Sequence, residues 1–143
     1  MKRAFLMLSL EALIFAFLVV AGCRKAAPNV NAETKARAQA TLNQFFEHFH
    51  NPQPGEDGFS VKVPVDLWAN KGKEYRWLTN LKLDEEPCSG TISSPPVDGA
   101  YAKPEGTLVT FTRQDIADWS FTVLGRDSVV VLGSELGTAP ADK

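Results

Sequence analysis

The hydrophobic period of this chain changes once, from helical to extended, and that change limits the folds open to it. Ala38, Leu42, Phe45 and Phe49 recur at helical spacing, with Phe46 beside them. Apolar residues three or four apart share one helix face and must be covered by something else. Asn51-Pro52-Gln53-Pro54-Gly55 stops that helix, because it supplies proline and glycine where the helix needs donors and regular backbone. Beyond it the period is two: Phe59, Val61, Val63 and Val65 alternate with Ser60, Lys62 and Pro64. That alternation is the mark of a strand with one buried face.

The helix should begin at Asn31, a good N-cap, with Glu33 in the first turn where it complements the helix dipole. Pro64 cannot donate a ladder hydrogen bond, so its strand, or that end of it, belongs at an edge. Asn70-Lys71-Gly72-Lys73 reads as a turn, and Tyr75, Trp77, Thr79 and Leu81 form the next alternating set. Asp84-Glu85-Glu86-Pro87 breaks it. Short strands are expected at Ser89–Ile92, Leu108–Phe111, Ser120–Leu124 and Ser128–Leu132, the last two joined around Gly125-Arg126-Asp127. Asp115–Asp118 reads as one helical turn, and the tail from Gly133 as small, polar and frayed. The fold class is therefore α+β: one amphipathic N-terminal helix on a bent antiparallel sheet or small SH3-like barrel of five to six strands. Phe45, Phe49, Val61, Val63, Val109 and Phe111 are its expected core.

The amino end carries a different signal. Lys2 and Arg3 precede a largely apolar run to Val20, interrupted by Glu11. A carboxylate in mid-span opposes a permanent transmembrane helix. Ala12–Val20 has the length of a signal-peptide apolar region and is too short to cross a bilayer. Val20-Ala21-Gly22-Cys23 then resembles the lipobox of bacterial lipoproteins: an aliphatic residue, two small residues and a cysteine. The expected organisation is a leader over residues 1–22, a tether over 23–31, a folded domain over 32–133 and a flexible tail over 134–143. The resemblance implies lipid on Cys23, membrane attachment through it, and a place in the cell envelope. Arg24, where an aspartate often retains such proteins in the inner membrane, points to the periplasmic face of the outer membrane in a cell with two membranes.

Within the folded part the order is a helix with Ala36-Arg37-Ala38, Thr41-Leu42 and Phe45; a strand Phe59-Ser60-Val61-Lys62-Val63-Pro64; Trp77-Leu78-Thr79; Gly90-Thr91-Ile92 with Pro95-Pro96; Gly106 with Val109 and Phe111; then Ile116-Ala117-Asp118-Trp119. This order and spacing resemble the YegJ-like family of uncharacterised bacterial proteins, from about Ala36 to Leu124. Late glycines and a tyrosine belong to that pattern, and Val129–Leu132 departs from it. The resemblance implies no catalytic residue.

The chemistry available is sparse. The formal net charge of -2, with scattered basic residues, provides no footprint for nucleic acid. His48 and His50 are two apart and diverge on a helix, whereas a helical metal site needs ligands three or four apart, so no metal is expected. Once Cys23 is lipidated, Cys88 has no partner, and the carboxylates of Asp84, Glu85 and Glu86 disfavour its thiolate. It reads as a small apolar filler. Asp115 reads as a cap of its turn and Asp118 as an acceptor for backbone donors. Trp119 and Trp77 read as core anchors. An alternative places Trp68, Tyr75, Trp77 and Trp119 along an aromatic groove rimmed by Pro95-Pro96, with Trp68 the most exposed. The candidate binding residues are Trp68, Tyr75 and Asp118. The expected function is a non-enzymatic binding or interaction domain of an envelope lipoprotein, without cofactor and with an envelope protein as candidate partner. Its rival is a small envelope hydrolase using Asp115 or Asp118.

Overall fold

A computed structural model of the chain describes residues 30–97, 99–125 and 128–136. The leader, Cys23 and nearly all of the expected tether lie outside the described residues. Among these residues no helix is long and apolar enough to cross a membrane.

Asn31 caps the first helix as expected, its side-chain oxygen accepting from Thr34 N–H at 2.7 Å. Glu33 pairs with Arg37 one turn later. The single expected helix is in fact two, α1 (Ala32–Ala40) and α2 (Leu42–His50), meeting at Thr41. The Thr41 hydroxyl lies 3.1 Å from the Arg37 carbonyl and 3.2 Å from those of Ala38 and Gly133. A hydroxyl turned back onto the preceding turn competes with the helical ladder and bends it. Both pieces still serve one core through Ala38, Leu42, Phe45 and Phe46.

Among the described residues six strands follow: β1 (Glu56–Asp66), β2 (Lys73–Lys82), β3 (Cys88–Ile92), β4 (Leu108–Phe111), β5 (Asp118–Val123) and β6 (Val129–Leu132). They form one antiparallel sheet in the order β4-β3-β2-β1-β5-β6. The sheet is open, with β4 and β6 at its edges, and not the closed barrel that was the other expectation. Closure would require those two strands to pair, and β6 runs instead into a short helix, α3 (Gly133–Leu136). Gly133, where fraying was expected to begin, is instead buried against Trp119, and residues 137–143 lie outside the described residues.

Pro64 shows how a proline fits a central strand. The Lys62 carbonyl accepts from Ala117 N–H at 2.7 Å, so the even residues of this part of β1 face β5. Pairing with β5 ends at Lys62, whereas pairing with β2 continues to Asp66. The missing N–H of Pro64 thus points past the end of β5. The strand is central, and only that side of that end is an edge.

β2 departs from the expected phase. Its buried residues are Glu74, Arg76 and Leu78, and Tyr75, Trp77 and Thr79 are half-buried on the other face. Asn80 then takes a left-handed conformation at φ 49°, and the register with β3 shifts between Thr79 and Lys82. One extra residue reverses which side chains face inward. After it Leu81 packs on the core and Leu83 is fully buried. Gly90 of β3 makes room for this, because a Cβ there would meet Leu81 Cδ2 at 2.9 Å and Leu78 Cβ at 3.0 Å.

The core lies between the helices and one face of the sheet. Val61, Val63 and Val65 of β1, Val109 and Phe111 of β4 and Trp119 and Phe121 of β5 meet Phe45 and its neighbours. Of the expected core set only Phe49 is merely half-buried. Trp119 is completely buried, with its ring 5.3 Å from that of Phe45 and its indole N–H donated to the Ala38 carbonyl at 3.1 Å.

Candidate functional site

The face of the sheet away from the helical core carries the polar and aromatic alternates of the same strands. Lys62 of β1 pairs with Trp77 of β2 on one side and with Asp118 of β5 on the other. Directly opposed residues in antiparallel strands share a face, so Trp77, Lys62 and Asp118 form one cross-strand row. The Lys62 ammonium lies 5.7 Å from the centroid of the Trp77 ring, within reach of the negative face of the indole. Tyr75, opposite Pro64, and Leu132, opposite Ser120, extend that surface.

These residues floor a cleft of about 440 Å³. Val30 and Thr34 close it at the start of α1, Ser134 beyond β6, and Ser94, Pro95 and Val97 on the loop after β3. Apolar walls carrying a few polar groups are the usual make-up of a ligand site. Two of the three candidate binding residues, Tyr75 and Asp118, line this cleft. Trp77 lines it too, which corrects its expected place in the core. Pro95 serves as rim, as the aromatic-groove alternative supposed, but Trp119 points to the opposite face.

Trp68 lies elsewhere. It is 55 % exposed on a turn between β1 and β2, with its N–H donated to the Tyr101 carbonyl at 2.8 Å. Lys103 sits over its ring at 5.4 Å and Lys71 over that of Tyr101 at 5.3 Å. This is a separate patch, and it does not line the cleft.

The two aspartates do not converge. Asp118 is 7 % exposed, and its carboxylate accepts from Trp119 N–H at 2.9 Å, Ser134 N–H at 3.0 Å and the Ser134 hydroxyl at 2.8 Å. It fastens the start of α3 to β5. Asp115 accepts from the N–H and the hydroxyl of Thr112, both at 2.8 Å. The short helical turn is Arg113–Asp115, earlier than expected, and its N-cap is Thr112. Asp115 closes a reciprocal capping box instead of serving as the cap itself. The Thr112 N–H holds the Asp115 carboxyl below its ordinary range. Partial burial opposes this, and the Thr112 hydroxyl, Lys35 and Lys73 reinforce it.

His48 and His50 go to different partners, as their spacing requires. His48 Nδ1 is 2.8 Å from Glu56 Oε1, and its ring stacks on Phe121 at 4.9 Å. His50 Nδ1 stands 3.6 Å from Asp84. Among the described residues no group of histidine, cysteine and carboxylate side chains is placed to hold a metal. Cys88 is fully buried, and burial first and Glu86 second push its thiol up.

Sequence reasoning missed a buried ion pair. Arg76 is wholly buried and Glu74 is 8 % exposed, 2.6 Å apart on the core face of β2. The Arg76 guanidinium also donates to the Ser94 hydroxyl at 3.2 Å, the Lys103 carbonyl at 3.1 Å and the Ser94 carbonyl. Glu74 accepts from Val97 N–H at 3.0 Å. The pair thereby pins the loop that forms one wall of the cleft and carries Tyr101 and Lys103. Opposite charges two apart in a strand share a face, and that was the signal available. Lys62 was also missed, although its alternation with Val61 and Val63 already placed it on the second face.

The family model described as an uncharacterised protein conserved in bacteria (DUF2314) matches residues 29–133. No curated protein and no solved structure matches the chain. The matched span holds α1, α2, all six strands and every cleft residue named above except Ser134. The chain belongs to the DUF2314 family of uncharacterised bacterial proteins.

Proposed function

We propose that this chain is an envelope lipoprotein of the YegJ type, anchored by lipid on Cys23, whose folded part is a non-enzymatic binding domain. The observation that carries the binding reading is the cleft on the second face of the sheet. Its aromatic floor, apolar walls and single ammonium group are the equipment of recognition. The hydrolase reading needs Asp115 or Asp118 free to act on a substrate. Asp118 instead fastens α3, and Asp115 closes its capping box. The anchoring reading rests on the Val20-Ala21-Gly22-Cys23 box behind a short apolar segment. Two or three acyl chains at one cysteine make attachment stable where one would be marginal.

Growth of bacteria expressing the full chain with labelled palmitate tests the anchor. The parent should take up label and fractionate with the envelope. Cys23→Ser should take up none and remain uncleaved or freely soluble. Label retained by Cys23→Ser would contradict the anchor.

A further inference from the structure

We propose that the cleft takes a small organic anion, a flat apolar body bearing one carboxylate or similar group, with Lys62 as the residue that receives the charge. The proposal deepens the binding reading above and rests on it.

Lys62 carries the argument. Lys62 is a half-buried residue on the floor of the cleft, and among the described residues it makes no ion pair. Its ammonium stands over the Trp77 ring. An incoming carboxylate would give that ammonium a charge-assisted hydrogen bond. Asp118 adjoins Lys62 in the same row, yet its oxygens already accept three hydrogen bonds from Trp119 and Ser134. Among the described residues no ion pair joins Asp118 to Lys62, which leaves room for a ligand's acceptor at the ammonium. The rest of the cleft sets the body of that ligand. Trp77 and Tyr75 offer ring faces for stacking, and Pro95, Val97 and Leu132 offer apolar walls. A volume of about 440 Å³ suits a small molecule and not a folded partner.

The test uses the full chain in detergent, with its three tryptophans reporting through their indole N–H resonances. The probes are 2-naphthoate and its neutral counterpart 2-naphthamide. Naphthoate should move the Trp77 resonance and leave Trp119 in place. Lys62→Gln should weaken naphthoate by about tenfold and leave naphthamide nearly unchanged. Unfolding of Lys62→Gln beside the parent checks that the variant is folded. Equal naphthoate affinity in parent and Lys62→Gln would overturn the anion inference while leaving the cleft as a binding surface. If neither probe moves Trp77 at millimolar concentration, both this inference and the binding reading fall.

Discussion

Arg76→Met should destabilise the domain by about 3–5 kcal/mol, read from urea unfolding of the full chain. The size follows from what stays behind. Glu74 is 8 % exposed and would keep its carboxylate without the guanidinium 2.6 Å away. The Ser94 and Lys103 carbonyls would lose their donor at the same time. Removing one member of a buried pair costs far more than the net worth of the pair, because a buried charge is left without its partner. The double variant Glu74→Leu with Arg76→Met should therefore be more stable than Arg76→Met alone. A single variant that melts like the parent would mean that the pair is not buried, and the loop after β3 would then need another account.

Trp119→Ala should cost a similar amount, about 3–5 kcal/mol, as expected for emptying a fully buried indole site. Around that ring stand Phe45, Phe121 and the Ala38 carbonyl, and Gly133 approaches so closely that a Cβ there would fall 2.3 Å from Nε1. The indole thus joins β5 to the break between α1 and α2 and to the start of α3. Its neighbour separates architecture from chemistry. Asp118→Asn keeps the shape and one acceptor oxygen, so as a capping change it should cost about 1–2 kcal/mol. Thermal unfolding of both variants checks the pair of expectations. Parent-like melting of both would return Asp118 and Trp119 to the list of functional candidates.

Much of this architecture was legible because the period of the side chains carries it. The helix-to-strand switch at Asn51–Gly55, the N-cap at Asn31 and the strand Leu108–Phe111 stand where local patterning puts them. The break at Thr41 was not legible, since the residue type alone does not say that its hydroxyl turns back onto Arg37 and Ala38 and also meets Gly133, far along the chain. The inner face of β2 was misread for a definite reason. Tyr75, Trp77, Thr79 and Leu81 look like one apolar stripe, but the bulge at Asn80 divides it, and only Leu81 turns toward the core. Up to the bulge the inward residues include a glutamate and an arginine, whose burial is affordable only because they face each other and the loop. Alternation alone cannot reveal such compensation. The preferred reading of Trp77 as a core anchor went with that misreading, whereas the aromatic-groove alternative had Tyr75, Trp77 and the Pro95 rim together and erred in adding Trp68 and Trp119. Asp118 was named apart from that groove, and Lys62 was not named as a candidate at all. What joins them is the register of three strands, which places Lys62 between Trp77 and Asp118.

The orientation of β2 is the premise on which the cleft depends, and tryptophan accessibility tests it most directly. The chain has three tryptophans, Trp68, Trp77 and Trp119. Three variants of the full chain, each retaining one of them and carrying phenylalanine at the other two, can be titrated with acrylamide. Trp68, 55 % exposed, should be quenched most, Trp77 to an intermediate degree through the open cleft, and Trp119, fully buried, least. If Trp77 is instead shielded as strongly as Trp119, then Tyr75, Trp77 and Thr79 face the core, and the second face of the sheet holds no aromatic cleft.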